Sequence, residues 1–288
     1  MTTTVTTAGE RAAAPSSYLY YRHTLPVRIM HWSNVISLTI LLMSGLMIFN
    51  AHPSLDWGKS SYTGKPSLLQ ITSRETNGQL AGVTRVLGHE FNTTGLLGVS
   101  TNADGKPNDV AFPHWMTIPG FYSLADARAW HFFFAWLFVL NGIAYVLYAF
   151  FSRHLTRDLL PTKADWRGIG RSIIDHILFR HPKGEDAKRY NVLQKLAYIA
   201  VIFVLMPGII IAGWAMSPWL NSIFPGWVDL LGGRQSARTL HFILAWTLVA
   251  FVMIHVFEVI ISGLWNHLRS MITGNYRIAP RTQGDPHE

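Results

Sequence analysis

The sequence predicts an all-α integral membrane protein, a four-helix bundle with both termini cytoplasmic and a long periplasmic loop between the first two helices. Three observations predict it. Of the 288 residues, 49% are hydrophobic and only 14% are charged, and the apolar residues gather in long blocks for which a soluble domain has no use. Four blocks, at about 26–49, 125–151, 192–214 and 239–265, reach the roughly 20 residues that a helix needs to cross about 30 Å of hydrocarbon. Basic residues concentrate between the second and third blocks, with Arg153, Arg157, Lys163, Arg167, Arg171 and Arg180 among them, and at the two chain ends. That bias sets those three regions on the cytoplasmic side.

Taken in order, residues 1–21 read as a disordered cytoplasmic tail with neither the basic n-region nor the apolar h-region of a cleavable signal peptide. The bundle domain spans 22–276 and opens with helix 1. The connection at about 50–124 is too long for a simple link. It is rich in Pro, Gly, Asn and aromatic residues, including PHWMTIPGFY at 113–122, and reads as a lid that docks a periplasmic partner. After helix 2, LTRDLLP leads to an amphipathic surface helix around 166–179, with Ile169, Ile173, Ile174, Ile177 and Leu178 on its apolar side. Helix 3, a short periplasmic connection at about 215–238, helix 4 and a cytoplasmic tail at 277–288 complete the chain. Cysteine is absent, which excludes disulfides, iron–sulfur clusters and thioether-attached haem. The net charge of +8 is an orientation signal. No basic patch on a soluble domain points to nucleic acid.

Helix 4 carries the informative chemistry. His241 and His255 are fourteen residues apart, a turn of about 1400°, so they share one helix face about 21 Å apart along the axis. Helix 2 repeats the opening of helix 4: A-R-x-x-H-F-x-x-A-W fits both 127–136, with Arg128 and His131, and 237–246, with Arg238 and His241. At the position matching His255, helix 2 has Tyr145 instead. Helix 1 keeps only the core of the pattern, as Arg28 and His31, and helix 3 has no histidine.

The up-and-down topology pairs these residues by depth, His131 with His241 near the outer surface and His31 with His255 near the inner. Histidine inside a span is costly and faces a partner or a cofactor. The plain alternative is an interhelical hydrogen bond for each. Two pairs at two depths suit two haem b groups, each with both axial positions filled by imidazole, which carry electrons and do not activate oxygen. Measured from the helix ends, His31 is shallower than His255, a mismatch that helix tilt or a ragged helix boundary would absorb. Zinc fits less well, because the histidines do not converge on one point. Arg28, Arg128 and Arg238, each three residues before a histidine, are placed to pair with haem propionates, the rival role being topology anchoring. His23, His52, His89, His114, His154, His176, His181, His267 and His287 read as surface residues.

These motifs also carry a resemblance. RHTLPVRIMHWSN, ARAWHFFFAW, YNVLQKLAY and GGRQSARTLHF, followed by HVFEV from His255, make the chain from Arg22 to about Tyr276 resemble the di-haem cytochrome b subunits of membrane-bound formate dehydrogenases, nickel-iron hydrogenases and thiosulfate-reductase-like molybdoenzymes. The resemblance implies the same pairing of the four histidines and a role in passing electrons between a periplasmic molybdopterin oxidoreductase or hydrogenase subunit and the quinone of the bacterial inner membrane. It implies a quinone pocket lined by Asn191 and Gln194 beside the inner haem, with helix capping as the rival role of both residues. Glu258, one turn beyond His255, is then a carboxylate placed to relay a proton, with pairing to a boundary Lys or Arg as its rival role. Two other classes stay open: a stand-alone haem b oxidoreductase, for example one feeding electrons from superoxide to quinone, and a scaffold or transporter using the histidines as proton relays. A homo-oligomer is compatible with each.

Overall fold

The computed structural model describes residues 17–61, 64–76, 78–101, 104–180 and 184–279, so most of both expected tails, together with His181 and His287, lies outside the described residues. A short strand β1 (Tyr18–Tyr21) leads into helix α1 (Leu25–Asn50), which opens with Pro26 in its first turn, where the missing N–H costs nothing. Strands β2 (Ser54–Leu55), β3 (Leu69–Thr76), β4 (Gln79–Val86), β5 (His89–Asn92), β6 (Gly98–Thr101) and β7 (Pro107–Val110) follow before helix α2 (Leu124–Phe151). Ser123 caps α2 by accepting from the Asp126 N–H at 3.3 Å. The short helices α3 (Lys163–Arg167) and α4 (Ile169–Ile177) divide the expected surface helix in two at Gly168.

The third span is a continuous helix from Val192 to Ala215, made of α5 (Val192–Ala200), a π-turn at Val201–Leu205 and α6 (Met206–Ala215). Pro207 explains the π-turn, because its ring opposes the carbonyl four residues back and it offers no N–H to the ladder. After α7 (Pro218–Ile223) comes α8 (Arg234–Ile261), which ends at Ser262–Gly263, four residues short of the expected boundary. Helix α9 (Leu264–Thr273) is separate, and strand β8 (Asn275–Ile278) closes the described chain. Among the described residues, four helices are thus long and apolar enough to cross a membrane: α1, α2, the α5–α6 run and α8.

Two regions depart from the all-α expectation. At one end of the helices, β1 and β8 pair antiparallel, Tyr18 with Ile278 through Tyr21 with Asn275, so both expected tails give residues to a clamp across the chain ends. Arg22 N–H extends it to the Gly274 carbonyl at 2.7 Å. At the other end, the long connection is a β layer, with β2, β3, β4 and β5 in one antiparallel sheet and β6 paired to β7. Its core joins the helices: Leu46 and Phe49 of α1 pack with Leu55, Ile71, Ala111 and Phe112, against Phe242 of α8. Polar seams fix the layer in place. Asn50 donates to the Phe112 carbonyl at 3.0 Å and accepts from its N–H at 2.7 Å. The Gly58 carbonyl accepts from the N–H groups of Gln235 and Ser236, at 3.0 and 3.2 Å, satisfying the free donors that open α8. Replacing Asn50 with alanine strips both partners from Phe112, costing about 1–3 kcal/mol, and is expected to speed proteolysis of 54–110 while leaving the helical circular dichroism unchanged.

Candidate functional site

The four predicted histidines come together in two pairs. His131 of α2 and His241 of α8 have ring centroids 6.2 Å apart, and His31 of α1 and His255 of α8 have centroids 6.4 Å apart. The depths also match. His131 stands seven residues after the start of α2 at 124 and His241 seven after the start of α8 at 234, at the sheet end. His31 stands six residues after the start of α1 at 25 and His255 six before the end of α8 at 261, at the β1–β8 end. The depth mismatch expected from the sequence came from setting the end of helix 4 too late.

The spacing has a chemical meaning. An imidazole nitrogen lies about 1 Å from its ring centroid and bonds a metal at about 2 Å, so two imidazoles on opposite sides of one ion hold their centroids about 6 Å apart. Helix α1 lies along α2 and α6 along α8, with few close approaches across the two pairs. Among the described residues, no group of three or more His, Cys, Asp or Glu gathers as a metal cluster, so the two-ligand arrangement calls for an ion whose other ligands belong to a cofactor such as a porphyrin.

Neighbouring groups orient the pair at the sheet end. His241 Nδ1 donates to the Ile209 carbonyl at 2.9 Å, leaving Nε2 with its lone pair. His131 Nδ1 lies 3.1 Å from Ser44 Oγ, and the Ser44 hydroxyl gives its own hydrogen to the Ile40 carbonyl at 2.6 Å. Ser44 therefore accepts from Nδ1–H, and Nε2 of His131 is likewise the free base, the tautomer that metal-bound histidines adopt. Glycines flank both rings. A Cβ on Gly45 would sit 3.4 Å from His131 Cε1, and one on Gly213 would sit 3.2 Å from His241 Cε1. Sequence reasoning missed Ser44, Gly45, Ile209 and Gly213, because each lies on a helix other than that of the histidine it serves.

At the β1–β8 end, His31 Nδ1 and the Nε atoms of Arg22, Arg28 and Arg269 are buried without a hydrogen-bond partner among the described residues. Three unmet guanidinium nitrogens at this end of the helices suit a ligand that brings carboxylates. Arg28 otherwise donates to the Ile272 carbonyl at 2.5 Å, and Trp32 to Met271 at 3.1 Å. The other two predicted arginines are placed differently. Arg238 donates to the Ser54 carbonyl at 2.7 Å and to the His52 carbonyl, bracing the β layer. Arg128 lies over the Phe132 ring at 5.6 Å on an exposed face.

Asn191 and Gln194 form a reciprocal cap at the start of α5: Asn191 Oδ1 accepts from the Gln194 N–H at 2.8 Å and Gln194 Oε1 from the Asn191 N–H at 3.1 Å. The cap engages the two oxygens, leaving the two NH2 groups as donors. Glu258 meets His176 of α4 at 3.4 Å. Several histidines read as surface residues are not exposed, since His23, His114, His154 and His267 are partly buried. Burial, helped by the Arg22 charge, lowers the His23 imidazole from 6.5 to about 4.

A family model described as prokaryotic cytochrome b561 matches residues 22–274. The chain is 27% identical over 84% of its length to a protein of Azospira oryzae named as the YedZ1 subunit of a protein-methionine-sulfoxide reductase, covering 91% of that protein. It is 22% identical over 94% of its length to a Cupriavidus necator protein named as a nickel-iron hydrogenase B-type cytochrome subunit, covering 92% of it. A like-named Azotobacter chroococcum protein is 29% identical over 54% of the chain and 70% of its own length. No solved structure matches the chain.

Proposed function

The chain belongs to the prokaryotic cytochrome b561 family, and from that premise we propose that it is a di-haem electron carrier linking a redox enzyme at one membrane face to the quinone pool. As a family member it is a multi-pass, haem b-binding membrane protein of electron transport. The observation that carries the finer reading is the pair of imidazole pairs, centroids 6.2 and 6.4 Å apart, at opposite ends of one helix.

His131 and His241 would hold one haem b and His31 and His255 the other. Bound there, haem b would supply one-electron transfer. The protein's own part is orientation. Ser44 and the Ile209 carbonyl hold the outer rings with Nε2 free, Gly45 and Gly213 let helix backbones pass beside those rings, and Arg28, with Arg22 and Arg269, offers donors to propionates of the inner group. Arg128 and Arg238 are the corresponding candidates at the sheet end, with Arg238 already committed in part to loop carbonyls.

The gathering of Arg153, Arg157, Arg167, Arg171 and Arg180 between α2 and α5 supports a cytoplasmic β1–β8 end and a periplasmic β layer in the bacterial inner membrane. The β layer is then the docking surface for the partner, a hydrogenase or molybdopterin oxidoreductase subunit. The names of the relatives support such a partner: a hydrogenase cytochrome subunit in one case and a reductase subunit in another. Quinone would bind at the β1–β8 end, its carbonyl accepting from the NH2 groups of Asn191 and Gln194, with Glu258 exchanging a proton. Purified protein tests this reading: menadiol is expected to reduce its haem and menadione to reoxidise it. Haem that dithionite reduces but that neither quinone species touches would refute the quinone link.

A further inference from the structure

A second cluster of titratable side chains lies beyond the paired histidines, where α2 ends. His154 Nδ1 stands 2.8 Å from an Asp158 carboxylate oxygen, within and beside the π-turn Leu155–Leu159. The Asp158 side chain is 43% exposed and that of His154 only 19%, so the dyad runs from water inward. Next to His154 are the rings of Tyr145, edge-on at 6.5 Å, and Tyr148, at 6.3 Å. The Tyr148 hydroxyl is 2.7 Å from Thr24 Oγ1.

Helix α5 and its entry face this group. Tyr198 and Tyr190 have rings 5.2 Å apart, and both lie within electrostatic reach of Tyr145. Tyr190 directly precedes Asn191, whose NH2 group is a quinone donor in the reading above. Other charged and titratable neighbours are Arg22, over the Tyr190 ring at 5.4 Å, with His23 and, from α9, His267, while Lys195 of α5 is held by Asp165 at 2.8 Å. Arg153 and Arg157 flank the dyad on its exposed side. Burial pushes the Tyr190 phenol up, so it stays a neutral hydroxyl that both donates and accepts.

We propose that Asp158 and His154 form the aqueous mouth of a proton path that runs past Tyr145 to the quinone beside Asn191 and Gln194. The inference rests on the quinone reading given above. Reducing a quinone adds two electrons, drawn from the partner enzyme's substrate, and two protons, one to each carbonyl oxygen. Asp158 takes a proton from water and gives it to His154 Nδ1, while the opposite nitrogen, Nε2, releases its proton inward toward the tyrosine hydroxyls. Glu258 serves the opposite flank, through His176. Oxidation of the quinol runs the same path outward.

The test is stopped-flow electron exchange between menadiol and the purified haem-loaded protein over a range of pH, with menadione affinity measured separately by tryptophan quenching. Asp158→Asn is expected to slow exchange about tenfold or more and to flatten its pH dependence, leaving the dithionite-reduced spectrum and the menadione affinity unchanged. Asp158→Glu is expected to restore both rate and pH profile, and His154→Gln gives the same readout should Asp158→Asn fail to accumulate. A wild-type rate and profile in Asp158→Asn would overturn the path, as would a loss of menadione affinity equal to the loss of rate. A wild-type protein inert to menadiol would instead overturn the quinone reading itself.

Discussion

Replacing His241 with alanine is expected to lower the haem content from two per chain to one. The retained haem is the one held by His31 and His255, because that pair lies at the far end of α8, fourteen residues or about 21 Å away, and shares no side chain with the outer pair. His131→Ala should give the same single-haem protein with the same spectrum. The double variant should lose no more than either single change, since both alanines dismantle one site and effects within one unit do not add. His31→Ala and His255→Ala should together define the complementary species. Pairing is what this pattern tests. If His131→Ala and His241→Ala each removed a different haem, the depth matching of seven residues into α2 and seven into α8 would have no functional meaning.

Gly213→Val is expected to be nearly as damaging to the outer site without touching a ligand. A Cβ at this position already lies 3.2 Å from His241 Cε1 and 3.4 Å from Nδ1, and the two further methyl groups of valine must enter the same space. The imidazole has to rotate away from the Ile209 carbonyl at 2.9 Å that fixes its tautomer, and overpacking of this kind costs about 1–3 kcal/mol. The expected result is loss of more than half of the outer haem, or its conversion to a five-coordinate, high-spin form visible by resonance Raman. Gly213→Ala and Gly45→Ala should be milder, with Gly45→Ala the mildest because its Cβ stands at 3.4 Å from His131 Cε1. Full low-spin haem in Gly213→Val would show that the close approach has no bearing on the ligand.

The spans and the four histidines were legible in the sequence for a physical reason. A span must be apolar for about 20 residues, so the rare imidazole or guanidinium inside one stands out, and the R-x-x-H repeat supplies register. The β layer was less legible because its strands lie in a connection without one repeating pattern. One signal was available: Asn77-Gly78 separates LQITSRET from QLAGVTRV, and Asn-Gly between strand-like runs marks a tight hairpin. The end of helix 4 was misplaced because apolar residues continue past Ser262–Gly263 into α9, and hydropathy does not register a break in backbone direction. Asn191 and Gln194 show the opposite case. Their three-residue spacing is a capping-box signature, and the structure builds that cap while leaving the two NH2 groups for the quinone reading. The supports of the site were beyond sequence reach. Ser44, Gly45, Ile209 and Gly213 acquire meaning only once α1 is set beside α2 and α6 beside α8.

The central claim is that one chain holds two haems b, each between two histidines. The most direct measurement is the haem-to-protein ratio of the purified wild-type protein by pyridine haemochrome assay, taken with low-temperature electron paramagnetic resonance of the oxidised form. Two haems per chain, both low-spin with the g-values of bis-imidazole ligation, is the predicted result. A ratio of one, or a dominant high-spin ferric signal at full loading, would contradict it.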